Sequence, residues 1–211
     1  MRKRVIFCVK IATAILLALV FALFSASCEK KERIRVSEIS IETLEESLSV
    51  GNYKGLVIEL KGKSREDAII DRIMMDSYVK RYPEGATDYY ADQIKKQYKY
   101  YADEAGMAYE EMLAELGENS LTISTEAQRL VKKDMILALI QAREGISLSD
   151  SEKSLYFERY VSIYAKRYGY TEDYVKEELS DLVYDSMLYD KTVEFLIVNN
   201  TFSEQGTESE G

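Results

Sequence analysis

The chain has 211 residues, with 28 Lys and Arg against 37 Asp and Glu for a formal net charge of −9, two Cys, one Pro and neither His nor Trp. Without His there is no Ser/His/Asp triad, no Cys/His dyad and no His-ligated zinc, and two cysteines make neither a four-cysteine zinc site nor a dense disulfide framework. The acidic balance offers no broad basic footprint for nucleic acid, while 46% hydrophobic residues permit one packed domain with appendages or two small ones.

The first 28 residues read as a targeting leader. Arg2, Lys3 and Arg4 precede Val5 to Phe24, a stretch whose only charge is Lys10. Its uncharged part, Ile11 to Phe24, is short for a membrane span and suits a signal-peptide core. Ser25, Ala26 and Ser27 then lead to Cys28, which looks like a bacterial lipoprotein processing site with Cys28 as the lipidated residue. Ser25 departs from that pattern, which prefers Leu at this place. The alternative is an uncleaved spanning helix over Val5 to Phe24. Either way, the positive N-terminal end places the rest of the chain outside the cytoplasm. Cleavage would take Arg2, Lys3, Arg4 and Lys10 with it, leaving 24 basic residues against 37 acidic, a net of −13. With Cys8 lost and Cys28 blocked by lipid, no disulfide is expected.

Residues 29–63 read as a charged tether followed by a short extended piece. Glu42 to Leu48 suits a short helix. Tyr53 to Leu60 suits a strand, with β-branched Val57 and Ile58 inside and Gly51 and Gly62 as punctuation. One or two strands do not stand alone, so this piece must dock on the remainder. Residues 64–200 read as helices. The first opens at Ser64 with Asp67 behind it and stops near Tyr82, before Pro83. The next runs from about Thr87 to Ala105, ahead of Gly106. A short one covers Ala108 to Leu116, and a longer one runs from near Ser124 to Gly145. Met135 to Ile140 is nearly apolar all round, the pattern of a central buried helix. Ser149 with Glu152 opens a helix that reaches Gly169, and Thr171 caps a last one that continues to about Val198. Residues 201–211 read as a disordered polar tail.

Three kinds of side chain are candidates for function. Paired carboxylates (Glu110 and Glu111, Glu177 and Glu178, Asp181 and Asp185) have no arginine or apolar pocket around them in the sequence and read as solvated helix surface. The methionines suit either core filling or an adaptable surface. Tyrosine is abundant, at 17 residues. Tyr156, Tyr160, Tyr164 and Tyr168 are spaced four apart, and Tyr90, Tyr98 and Tyr101 share a helix face. These seven suit either inter-helix packing or an amphipathic surface that holds peptide segments, since tyrosine combines apolar area with a hydroxyl at low entropic cost.

Several segments together resemble a known family. Asn52-Tyr53-Lys54-Gly55-Leu56 and the alternating residues after it look like the strand leading into the prolyl-isomerase domain of trigger factor. Tyr82-Pro83-Glu84 through Tyr101, Gly106-Met107 and Met112-Leu113 look like the start of its helical chaperone domain. Asp134 to Ile140, Glu144 to Asp150, Tyr168-Gly169-Tyr170 and Asp190 to Leu196 continue the match in order. The FKBP-type isomerase domain is missing between Leu60 and Ser64, and the Gly-Phe-Arg ribosome-docking loop is absent. The resemblance implies an all-α, multi-helix trigger factor/SurA-like chaperone domain with a short N-terminal extended segment. It implies a non-enzymatic holdase without isomerase activity or cofactor, which the leader and Cys28 would tether to the membrane by a lipid anchor, facing outside the cytoplasm. Its partners would be unfolded or newly exported polypeptides, with neither ribosome nor nucleic acid among them. The alternative is a lipoprotein module that binds one dedicated folded envelope or secretion partner.

Overall fold

Residues 32–204 are described by a computed structural model of the chain; the leader with Cys28, residues 29–31 and residues 205–211 lie outside the described residues. Helices dominate. In chain order they are α1 (Ile41–Ser47), α2 (Arg65–Asp76), α3 (Ala86–Ala105), α4 (Tyr109–Leu116), α5 (Ser120–Glu144), α6 (Asp150–Tyr168), α7 (Glu172–Glu178) and α8 (Ser180–Val198). Four very short strands accompany them: β1 (Leu48–Ser49), β2 (Val57–Glu59), β3 (Tyr78–Val79) and β4 (Thr201–Ser203). The domain is all-α, as expected, with a short extended segment before α2.

Local chemistry sets most helix ends. The hydroxyls of Ser64, Ser149 and Thr171 accept the backbone N–H of Asp67, Glu152 and Tyr174, each satisfying a donor the helix itself leaves unpaired. Gly145 and Gly169 close α5 and α6 in the left-handed region, at φ 64° and 74°.

Five expectations change. The helix opened by Ser64 stops at Asp76 rather than near Tyr82, because Tyr78 and Val79 pair antiparallel with Ser49 and Leu48. The Ser77 hydroxyl accepts the Gly51 N–H at the same place. α5 begins four residues earlier than Ser124, because Asn119 Oδ1 accepts from the N–H groups of Leu121 and Thr122. The helix capped by Thr171 breaks at Leu179 (φ −125°), which packs against the cluster around Val175 and Val183. The tail expected from residue 201 starts instead with β4, paired parallel to β2. Asn200 fastens it there: Oδ1 accepts from Leu56 N–H at 2.8 Å, and Nδ2 donates to the carbonyls of Tyr53 at 2.9 Å and Leu196 at 2.6 Å. The strand read over Tyr53 to Leu60 shrinks to three residues, and residues 60–64 alone join it to α2.

The main core joins the early segment to the helices. Val36, Leu44, Leu48 and Ile58 pack in one cluster with Ile69 and Ile73 of α2 and with Met135, Ile136, Leu139 and Ile140 of α5. The buried run in α5 is the central helix that Met135 to Ile140 predicts. Leu196 brings the end of α8 into the same cluster.

An ion pair ties α6 to α8 near this body. Lys191 Nζ donates to Glu152 Oε1 at 2.6 Å and to the Ser147 carbonyl at 2.8 Å, while the Ser149 hydroxyl and N–H reach Glu152 Oε2. The Lys191 bond foremost, then those from Ser149, hold the Glu152 carboxyl down at about 2 from its ordinary 4.5. A depressed carboxyl stabilises the fold above its unfolded value and loses that contribution as pH falls through its folded value. Glu152→Gln should therefore lower Tm by a constant amount above about pH 5.5, with the gap from wild type closing between about pH 4.5 and 2. Thermal unfolding of both proteins across that range measures it.

Candidate peptide-binding surface

Two helical arms leave the body. In the first, α3 starts with Ala86 in the main core, runs outward, and is followed by α4; α5 then returns, joining the main core from Val131. A small core of its own, Ile94, Ile123 and Ala127, holds it together, with Tyr98, Leu113 and Leu130 at the margin. The second arm comprises α6, α7 and the first half of α8. It is held by Val161, Ala165, Val175, Val183 and Met187, with Phe157, Tyr160 and Tyr164 at the margin.

Each arm core is too small to cover its helices, and large apolar side chains remain outside. On the first arm these are Tyr100, Tyr101, Leu116 and Leu121; on the second, Leu155, Tyr156, Ile163, Tyr170 and Tyr174. Leu121 and Leu155 stand out, at 74% and 70% exposed. Exposed apolar side chains also lie on the body, Met75 and Val198 among them, and the run of them along both arms makes the arms a candidate interaction surface.

The tyrosines expected at this surface divide between outside and inside. A step of four residues advances 400° around a helix, so a four-spaced stripe drifts 40° per step. Tyr156 accordingly faces outward at 41% exposed, while Tyr160 and Tyr164 rotate toward the arm core and are half-buried. Tyr160 donates to Asp190 Oδ2 at 2.5 Å; burial, then this bond to a carboxylate, pushes its phenol up to about 12. The side chain of Tyr168 lies outside the described residues, as does Cys28. On α3, Tyr101 lies seven residues beyond buried Ile94, on the same face, yet is 43% exposed because that face outruns the packing beneath it. Tyr98 packs half-buried against the first arm core.

Of the described side chains among the seven, Tyr90 lies furthest inward. It packs against both the main core and the first arm core, and its hydroxyl donates to Asp134 on α5. Its ring is structural because it sits at the root of the arm, where α3 still has the body beside it. Burial raises the Asp134 carboxyl above its ordinary value, and the bond from Tyr90 opposes that rise. Tyr90→Phe should cost about 1–3 kcal/mol, since it leaves a buried carboxylate without its donor. Urea unfolding measures the loss, and binding of unfolded protein should be unaffected.

The carboxylate pairs stay on the surface: Glu110, Glu111, Glu177 and Glu178 are exposed, and Asp181 faces Arg35 at 3.6 Å. Among the described residues no group of Cys, Asp and Glu side chains is arranged to hold a metal, and no helix is long and apolar enough to cross a membrane. A cleft of about 500 Å³ in the body is lined by Ile34, Ser40, Thr43, Tyr82 and Pro83; its Glu38 is committed to Arg35 at 3.0 Å.

Leu116, Leu121, Leu155, Ile163, Tyr170 and Tyr174 were missed as candidates. One signal for them was legible: Leu121 follows the Asn119 cap in a first helical turn, and Tyr170 and Tyr174 follow the Gly169 turn, places where no preceding turn covers a side chain.

A small helical body with two apolar-studded arms defines an all-α scaffold. The chain is similar to trigger factors. It is 24% identical over 209 residues to that of Caldicellulosiruptor saccharolyticus, covering 84% of this chain and 46% of the relative. It is 25% identical over 184 residues to that of Caldicellulosiruptor bescii, covering 80% and 40%. The chain thus spans less than half the length of these curated relatives. No family model and no solved structure matches it. The similarity supports a trigger factor-like helical domain.

Proposed function

We propose that this protein is a chaperone of the holdase type, tethered outside the cytoplasm by lipid on Cys28. It binds unfolded or newly exported polypeptides on the apolar side chains of its two arms and performs no isomerisation. The observation that carries the reading is the set of uncovered leucines and tyrosines on both arms, in a chain similar to trigger factors. Holding a chain of arbitrary sequence calls for non-directional apolar contact in a charged frame, which needs neither cofactor nor nucleophile. The acidic frame keeps the arms from associating with each other across molecules.

Soluble protein from Glu29 onward, added to a chemically denatured client on dilution, should suppress light scattering at near-stoichiometric ratio. Absence of suppression with several clients, together with a saturable complex with one folded envelope protein, would replace this reading with a dedicated interaction module. For the anchor, mass measurement of membrane-extracted protein should give a chain that begins at Cys28 and carries acyl mass. An intact Met1 terminus without added mass would overturn the lipid tether.

A further inference from the structure

The first segment of the described fold lies against the roots of both arms. Val36 is 2% exposed and belongs to the main core with Met135 and Ile136 of α5, and Ile34 and Ile39 pack against that core. Val36–Glu38 is a single 3-10 turn closed by Glu38, whose carboxylate accepts from Arg35 N–H and Arg35 Nε at 3.0 Å each. From this fixed base two arginines reach two different helices. Arg33 Nη1 lies 2.5 Å from Asp92 Oδ2 on α3, two residues before Ile94 of the first arm core. Arg35 Nη2 lies 3.6 Å from Asp181 Oδ2 in the first turn of α8, two residues before Val183 of the second arm core. Asp185, one turn further along α8, adds its field at the same guanidinium.

We propose that Arg33–Glu38 is a strap that ties the first arm to the second at their roots and sets the spacing between them. The two arm cores share no residue, so a tie that reaches a helix of each arm bears directly on how the arms move against each other. Exposed ion pairs contribute little when both side chains must first be ordered. Here the burial of Val36 and the Glu38 bonds order the segment before either arginine pairs, and the Asp92 side chain is only 22% exposed. Both ties are ionic, so they should weaken in about 1 M salt, where charges are screened beyond about 3 Å. A client that touches both arms is bound more tightly when the arms are already held at the right spacing. That consequence rests on the holdase reading; the strap itself does not.

The test uses the full chain in detergent, with Cys8→Ser and Cys28→Ser and nitroxide labels on Glu111→Cys of α4 and Glu172→Cys of α7, both exposed positions. Double electron–electron resonance reads the distance between the arms. Arg33→Ser with Arg35→Ser should at least double the width of the distance distribution, as should 1 M NaCl on the parent. Asp92→Asn with Asp181→Asn removes the same ties from the arm side and should do likewise, which covers the case in which the arginine variant fails to fold. Arg33→Asp with Asp92→Arg, made beside an intact Arg35, should keep the narrow distribution, whereas Arg33→Asp alone should broaden it. Unchanged width in a folded variant that lacks both ties would overturn the strap, and so would a swap as broad as Arg33→Asp alone. Reduced, carboxymethylated lactalbumin is the unfolded client, and its affinity should fall at least threefold when both ties are cut. Broadened arms with equal client affinity would overturn the part the strap plays in binding alone. Broadened arms with no client bound even by the parent would sink the holdase reading and leave the strap standing.

Discussion

Leu139→Ala lowers the unfolding free energy by about 2–5 kcal/mol, the range for truncating a fully buried leucine in a core that collapses only in part around the gap. Leu139 has no exposed surface and sits among Ile69, Ile73, Met135 and Leu196, where helices α2, α5 and α8 converge with the early segment. For a domain of this size, 1 kcal/mol moves Tm by about 2–4 °C, so a shift of about 5–15 °C is expected. In urea the midpoint should fall with an unchanged slope, which separates lost stability from a change in compactness. The internal control lies on the same helix. Leu121 carries the same side chain at the outer end of α5, 74% exposed. Leu121→Ala should stay within about 0.5 kcal/mol of wild type. Equal losses at the two positions would mean that α5 is not the central helix of the body.

The second large effect is on binding. Changing Leu121, Leu155 and Tyr156 to serine together should weaken client binding at least tenfold and abolish suppression of aggregation at stoichiometric ratio. Each of these side chains contributes about 1.5–3 kcal/mol if fully buried against a bound chain, and partial burial at three places exceeds the 1.4 kcal/mol of a tenfold change. All three side chains face solvent, so Tm should move by less than about 2 °C. Anisotropy of a labelled unfolded chain and the melting curve, measured on the same preparation, separate the two effects. Unchanged affinity would move the client site off the arms.

Much of the helical grammar was legible because it is local. Ser64, Ser149 and Thr171 open helices with their own hydroxyls, and Gly106, Gly117, Gly145 and Gly169 end them in the left-handed region. The unbroken apolar run from Met135 to Ile140 marked the central helix, since only a helix surrounded by protein tolerates apolar residues on every side. The tyrosine surface was legible in part. Four-residue spacing identifies a stripe but not its endpoints, and the 40° drift per step sends Tyr156 out and Tyr160 in. Tyr90 and Tyr101 look alike along α3; one has the body beside it and the other does not.

Composition, charge and local spacing by themselves determined the class of this protein: a helical, acidic chain whose lack of histidine excludes a Ser/His/Asp triad and a Cys/His dyad. Tertiary structure alone decided what each residue meets. Gly51 reads as simple punctuation, yet a side chain there would come within 2.5 Å of the Asp76 carbonyl, so glycine is the residue that fits. Asn200 reads as the last residue before a polar tail, yet its amide bonds Tyr53 and Leu56 and draws Thr201–Ser203 into a sheet with Val57–Glu59. Helix caps act within four residues and so leave a trace in the sequence. Partners more than a hundred residues apart are chosen only when the helices pack, and it is that packing which brings Asn200 to Tyr53 and Leu56.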